Sequence, residues 1–230
     1  MSKKSTREEA IELALISAQQ RLRAMDPRQV AKQSAAEWHE GQGGGHLEIT
    51  FLNQRYQVLL PTAEVTSRPA LYKSENTGCR KAANAAGEHP SPSLVRKVLI
   101  LHYLIQAQGK ELVRRWVDFR SLPGGVVYYP VFRGRVIARL VRMFGERPKD
   151  LISAAAPLGG RKIAMADWAV EIPAFPRVPV VLALWEASEE FAPEGSVMYD
   201  DALPAYLETE DAIIVCEEIL GALKGNVQKV

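Results

Sequence analysis

Over residues 6–24 apolar positions recur at helical spacing, and Ala10, Leu13, Ala14, Ser17 and Leu22 are predicted to form one buried stripe. Thr6 and Glu9 make a capping box at its start. Asp26-Pro27 predicts a second, short helix: an N-cap, then proline at the first helical position, with Val30 and Ala31 turned inward. The glycine run Gly41–Gly45 reads as a loop. HLEITFL and RYQVLLP then alternate with period two around Asn53-Gln54. In such a hairpin Leu47, Ile49 and Phe51 share a face with Tyr56, Val58 and Leu60.

Residues 67–92 have no period and are rich in Ala, Asn, Gly, Pro and Lys, which predicts a long excursion. Ser91-Pro92 is the expected start of an apolar helix carrying Leu94, Val95, Val98, Leu99, His102 and Ile105, ending at Gly109. A short helix is predicted over 111–119. Another is predicted over 128–144, with Phe132, Val136, Leu140 and Phe144 at four-residue spacing and Gly145 as its stop. Pro148 begins a further short helix that ends near Gly159-Gly160. Residues 167–172 alternate as a strand, and VPVVLALW reads as a strand buried on both faces, its prolines placing its start at an edge or bend. Thr209 is the expected cap of a final helix.

These elements predict an α+β fold with helices packed on a small, mostly antiparallel sheet. Residues 1–66 supply N-terminal helices and the hairpin, 67–92 a long loop, and 93–230 the main portion, continuous with 1–66. The 230 residues, 47% hydrophobic and 24% charged, are ample for a core without staples. The net charge of +2 is too small to argue for nucleic acid. Its distribution says more. Residues 114–149 are mainly basic, whereas 186–218 carry eleven carboxylates and no Lys or Arg. Either these segments face each other or are solvated, or the acidic block binds a cation or a basic partner. Cys79 and Cys216 lack zinc or iron–sulfur spacing and read as reduced thiols. With no apolar signal core and no membrane-length apolar run, the chain reads as cytoplasmic.

Candidate chemistry concentrates in WVDFRSLPGGVVYYPVFRGR, residues 116–135. Trp116, Tyr128 and Tyr129 offer ring faces and hydroxyls. Arg120 and Arg135 offer guanidinium forks, and a Pro-Gly-Gly turn lets backbone approach. The pattern suits a planar or anionic ligand. Arg120 and Arg135 fit anion binding or pairing with the acidic block equally well. Gly124-Gly125 lacks phosphate-loop spacing and fits a plain turn. His102, on an apolar helix face, fits a core histidine held by a carbonyl or carboxylate, or else an axial ligand or general base. Glu189 and Glu190 follow the buried strand as a possible acid–base pair or a solvated turn. His39, His46 and His89 sit in polar or glycine-rich stretches and read as surface residues, so no metal ligand set is assigned.

The 116–135 string, FPRVPVVLALWEASEEF from Phe175, and the segments Met198-Tyr199-Asp200 and 206–211 resemble the prokaryotic family of domain of unknown function 3786. The resemblance runs over most of the chain. Ser188 stands where relatives tend to be acidic, and the 67–92 excursion is longer than usual. The resemblance implies no activity. Through relatives that carry an added four-cysteine iron–sulfur domain, it implies an anaerobic, corrinoid or one-carbon setting and a redox partner.

The residues therefore support three functional expectations. The first is a module binding a cofactor or anionic metabolite, a tetrapyrrole or corrinoid being the specific case. Trp116, Arg120, Tyr128, Tyr129 and Arg135 would form one wall, with His102 and Glu189 or Glu190 opposite. The second is an accessory protein whose acidic block docks a basic partner. The third is an enzyme using Glu189 or Glu190 and a Tyr as acid and base.

Overall fold

The computed structural model describes residues 6–41, 44–68 and 91–227. Most of the predicted excursion, with Cys79 and His89, lies outside the described residues. In chain order the elements are α1 (Thr6–Arg23), α2 (Pro27–Ser34), β1 (Glu37–Gly41), β2 (Gly44–Phe51), β3 (Gln54–Leu59), β4 (Glu64–Ser67) and α3 (Leu94–Gln106). There follow β5 (Trp116–Asp118), α4 (Gly125–Phe132), α5 (Ala138–Phe144), α6 (Lys149–Ala155), β6 (Arg161–Lys162), β7 (Trp168–Phe175), β8 (Val178–Trp185), β9 (Glu194–Asp200) and α7 (Thr209–Val227). Two antiparallel sheets result, in the orders β1-β2-β3-β4 and β5-β9-β8-β7-β6, so the fold is α+β. Among the described residues no helix is long and apolar enough to cross a membrane.

Alternation sets the first sheet. Leu47 opposes Val58 and Ile49 opposes Tyr56, and all four are buried on one face, as predicted. The turn falls on Leu52-Asn53, both at positive φ, one residue earlier than expected. The predicted loop at Gly41–Gly45 is instead the end of β1 and the start of β2, since Gly41 pairs with Gly44. Rings join the sheets. Phe51 of β2 meets Phe175 of β7 at 4.6 Å, Phe175 stacks on Tyr103 of α3 at 4.2 Å, and Tyr103 approaches Tyr206. The Leu52 N–H also donates to the Ala174 carbonyl at 2.9 Å.

Helix α1 lies against α3, burying Ala18 and Leu22 with Leu15 packed on the core, and leaves the predicted stripe residue Leu13 exposed. The cap of α3 is Ser93, whose Oγ accepts from the Arg96 N–H at 3.3 Å, rather than Ser91. The helix predicted over 111–119 does not form. Asp200 accepts the N–H groups of Val113 and Arg114, and β5 then pairs with β9. The helix predicted from 128 begins at Gly125 and continues through a π turn at Arg133–Ile137 into α5, burying Phe132, Val136, Leu140 and Phe144 as its spacing requires. β8 is buried through Leu184 and lies between β9 and β7, and its Pro179 opposes Pro173 where the register shifts. The Thr209 hydroxyl does not cap α7. It donates to the Pro123 carbonyl at 2.6 Å, tying α7 to the Pro-Gly-Gly turn.

Candidate functional site

Residues 116–135 form a self-satisfied corner. Asp118 Oδ1 accepts from the backbone N–H and hydroxyl of Ser121 at 3.1 and 2.8 Å. Its Oδ2 accepts from Arg120 Nε at 2.8 Å. Burial raises the Asp118 carboxyl, but the Ser121 and Arg120 hydrogen bonds outweigh it and hold the group below its usual range. The Arg120 guanidinium, so held, lies 5.0 Å from the centre of the half-buried Tyr129 ring. Beneath it Phe119 stacks on Phe132 at 4.1 Å, with planes 5° apart. Gly124 has φ 71°, and a Cβ on Gly125 would stand 2.0 Å from the Phe119 carbonyl oxygen. The glycines thus serve a turn and a close backbone crossing. Trp116 is half-buried on β5 opposite Asp200. Tyr128 is exposed beside Glu210, whose carboxylate raises its pKa through a hydrogen bond.

The acidic segment meets the basic one at Arg115 and Arg135, and meets Arg96 and His102 from outside it. Arg135 makes a two-pronged contact with Glu217, 2.7 Å on each arm. Arg115 pairs with Asp201, and Arg96 holds Glu218. Both Asp211 oxygens lie 3.0 Å from His102 Nδ1. That hydrogen bond raises the His102 pKa, with burial opposing it and the Asp211 charge adding to it. Glu189 and Glu190 stand exposed between β8 and β9. They precede β9 at its Glu194 end, whereas Trp116 pairs with Asp200 at the other end of that strand. The structure therefore does not bring them opposite the 116–135 segment.

What it does build is a groove of about 310 Å³ between α1, α3 and α7. Ala10, Ile11, Ala14, Val95, Val98, Leu99 and Ile214 line it with apolar surface. Arg7, Arg135 and Asp211 supply its charges. Two of those charges are engaged, Arg135 by Glu217 and Asp211 by His102. Arg7 makes no ion pair among the described residues. Of the predicted site residues, Arg135 lines this groove and His102 is coupled to it through Asp211. Arg7 and Ile214 were not singled out in the sequence, and Ala10 and Ala14 entered only as part of a buried helix stripe. The available signal was the pair of small residues, Ala10 and Ala14, one helical turn apart behind Arg7: small side chains on a packed helix leave a furrow.

The model of the family described as Domain of unknown function (DUF3786) matches residues 26–222. The chain belongs to this family. Comparisons with curated proteins and with solved structures return no match. In this DUF3786 member the family region spans both sheets and most of α7 but excludes α1, and so omits the wall of the groove that carries Arg7.

Proposed function

We infer that the protein is a binding module for a small amphipathic anion, held in the α1–α3–α7 groove. One observation carries this reading: an apolar furrow of about 310 Å³ with an arginine at its rim that is not already ion-paired among the described residues. That volume lies at the lower end of ligand sites, roughly 300–1,000 Å³. It suits a carboxylate on a short hydrocarbon body. A whole tetrapyrrole or corrinoid would need more space, so in a corrinoid or one-carbon setting the groove would hold a side arm or a metabolite of that class. Arg7 supplies the anion contact, and Arg135, held by Glu217, shapes the rim. A thermal-shift series of straight-chain carboxylates of increasing length is the test. The expected result is a saturable rise in Tm that peaks at one chain length and is lost in Arg7→Gln and Ala14→Phe. No saturable rise with any chain length, or an equal rise in both variants, sinks the reading.

A second reading, an accessory protein docking a basic partner, is favoured by α4. Val126, Val127 and Val131 are 70%, 77% and 48% exposed on it, beside Glu208 and Glu210. The occupant of such a face is an amphipathic helix with an apolar stripe flanked by Lys or Arg. Fluorescence anisotropy with a labelled lysine-rich amphipathic peptide tests it. Binding should weaken as salt rises and vanish in Val127→Asp.

A further inference from the structure

The solvent-side face of the first sheet carries a second constellation, remote in sequence from the segment on which the candidate chemistry centred. Period-two alternation puts His46 and Glu48 on the face of β2 opposite Leu47 and Ile49. The register sets His39 directly opposite His46, and Glu37 directly opposite Glu48. Residues directly opposite across an antiparallel pair share a face, so four ligand-type side chains occupy adjoining positions on two strands. The two imidazoles stack with centres 4.7 Å apart and planes 16° apart. Ligand atoms of His39, His46 and Glu48 all lie within 4.8 Å of one another. The His39 Nε2 atom is covered by protein yet has no hydrogen-bond partner among the described residues, and the nearest carboxylate, Glu37 Oε2, is 3.6 Å away. A covered ring nitrogen without a partner, beside an imidazole and two carboxylates, is a buried polar group that calls for an explanation.

We propose that Glu37, His39, His46 and Glu48 form a site for one borderline divalent transition ion of the zinc class. Two imidazoles with carboxylate oxygens select zinc, cobalt, nickel or copper over magnesium or calcium, which take oxygen shells. A tetrahedral ion with bonds of about 2.0–2.1 Å sets its ligand atoms about 3.3 Å apart, so the cluster closes by side-chain rotation of roughly an ångström. Arg55 and Arg68 already contact Glu48, which is 5% exposed. A carboxylate has about four lone-pair sites, so Glu48 can serve the ion while still accepting from Arg55. The two guanidinium groups oppose a cation, which makes this a weaker site than an all-anionic one. Its effect would be to clamp the edge strand β1 onto β2.

Cobalt titration of the full chain, prepared without a histidine tag and followed by visible d–d absorption, is the test. The expected result is a tetrahedral band saturating at one equivalent and bleached by zinc. His39→Gln and His46→Gln should each weaken binding by more than about tenfold, the lower end of what disturbing a ligand's support costs. Exposed Glu37→Gln, which leaves the fold untouched, should shift the band. His102→Gln, on a different element, should leave it unchanged. No saturable band in the full chain, a band that survives the His39/His46 double variant folded by circular dichroism, or equal weakening in His102→Gln would each overturn the proposal.

Discussion

Asp200 is the side chain on which the path into the 116–135 corner depends, and replacing it gives a quantitative prediction. It is 1% exposed at the end of β9. Oδ1 accepts from the N–H groups of Val113 at 3.0 Å and Ala202 at 2.9 Å, and Oδ2 accepts from Arg114 N–H at 2.7 Å. Asp200→Ala removes all three acceptors. Hydrogen bonds to a charged group contribute about 1.5–3 kcal/mol each, but three on one carboxylate are not additive. The Val113 and Arg114 amides are only part-buried and can turn to water, whereas the Ala202 amide is buried and stranded. Arg114 also holds φ 60°, a strained value that these bonds maintain, and its release returns about 1 kcal/mol. The net expectation is a loss of roughly 3–5 kcal/mol. Asp200→Asn, with its carbonyl oxygen at the Oδ1 position, keeps two of the three bonds and should lose only about 1–2 kcal/mol. Urea unfolding measures both, and an m-value near 2 kcal/mol/M puts the Ala midpoint about 2 M below that of the natural chain. Hydrogen exchange at Val113, Arg114 and Ala202 gives the local check. A loss below about 1 kcal/mol for Ala, or equal losses for Ala and Asn, would refute the account.

Three further outcomes are expected. Gly125→Ala drives a Cβ to 2.0 Å from the Phe119 carbonyl oxygen and should destabilise by about 3 kcal/mol or more, whereas Gly134→Ala meets nothing within 4 Å and should be neutral or stabilise by up to about 1 kcal/mol. Chemical denaturation reads both. The His102 pKa is raised in the fold, so its ion pair with Asp211 contributes fully below about pH 6.5 and is lost as pH rises through the folded value. The stability gap between the natural chain and His102→Gln should therefore be widest near pH 5 and shrink above neutrality; a flat gap contradicts this. Burial pushes the Cys216 thiol up to about 12, so in a Cys79→Ser background disulfide reagents should label Cys216 only on unfolding. Rapid labelling of the native protein would contradict its burial beside Tyr199, whose hydroxyl is 3.0 Å from the sulfur.

Local pattern determined much of this fold. The cap and proline at Asp26-Pro27, the two faces of the β2–β3 hairpin, the four-residue spacing from Phe132 to Phe144, and the doubly buried VPVVLALW strand depend on neighbours a few residues away, so they were legible before any contact was known. Tertiary structure decided the rest. β9 runs through the acidic block with only Val197 and Tyr199 as large buried alternating positions, and it exists because β5 and β8 flank it. β1 likewise has Trp38 as its one large apolar side chain and forms by pairing with β2. A helix is the sequence expectation over 111–119, but the carboxylate of Asp200, some 86 positions from Arg114, claims the amides of Val113 and Arg114. The charged residues show the limit most clearly. Sequence placed Arg120 and Arg135 evenly between ligand and internal partner, and folded distance set Arg120 on Asp118 and Arg135 on Glu217. The Arg7 groove and the His39–His46 pair arise from helix packing and strand register, neither of which a one-dimensional pattern encodes, because both depend on which surfaces meet when apolar area is buried.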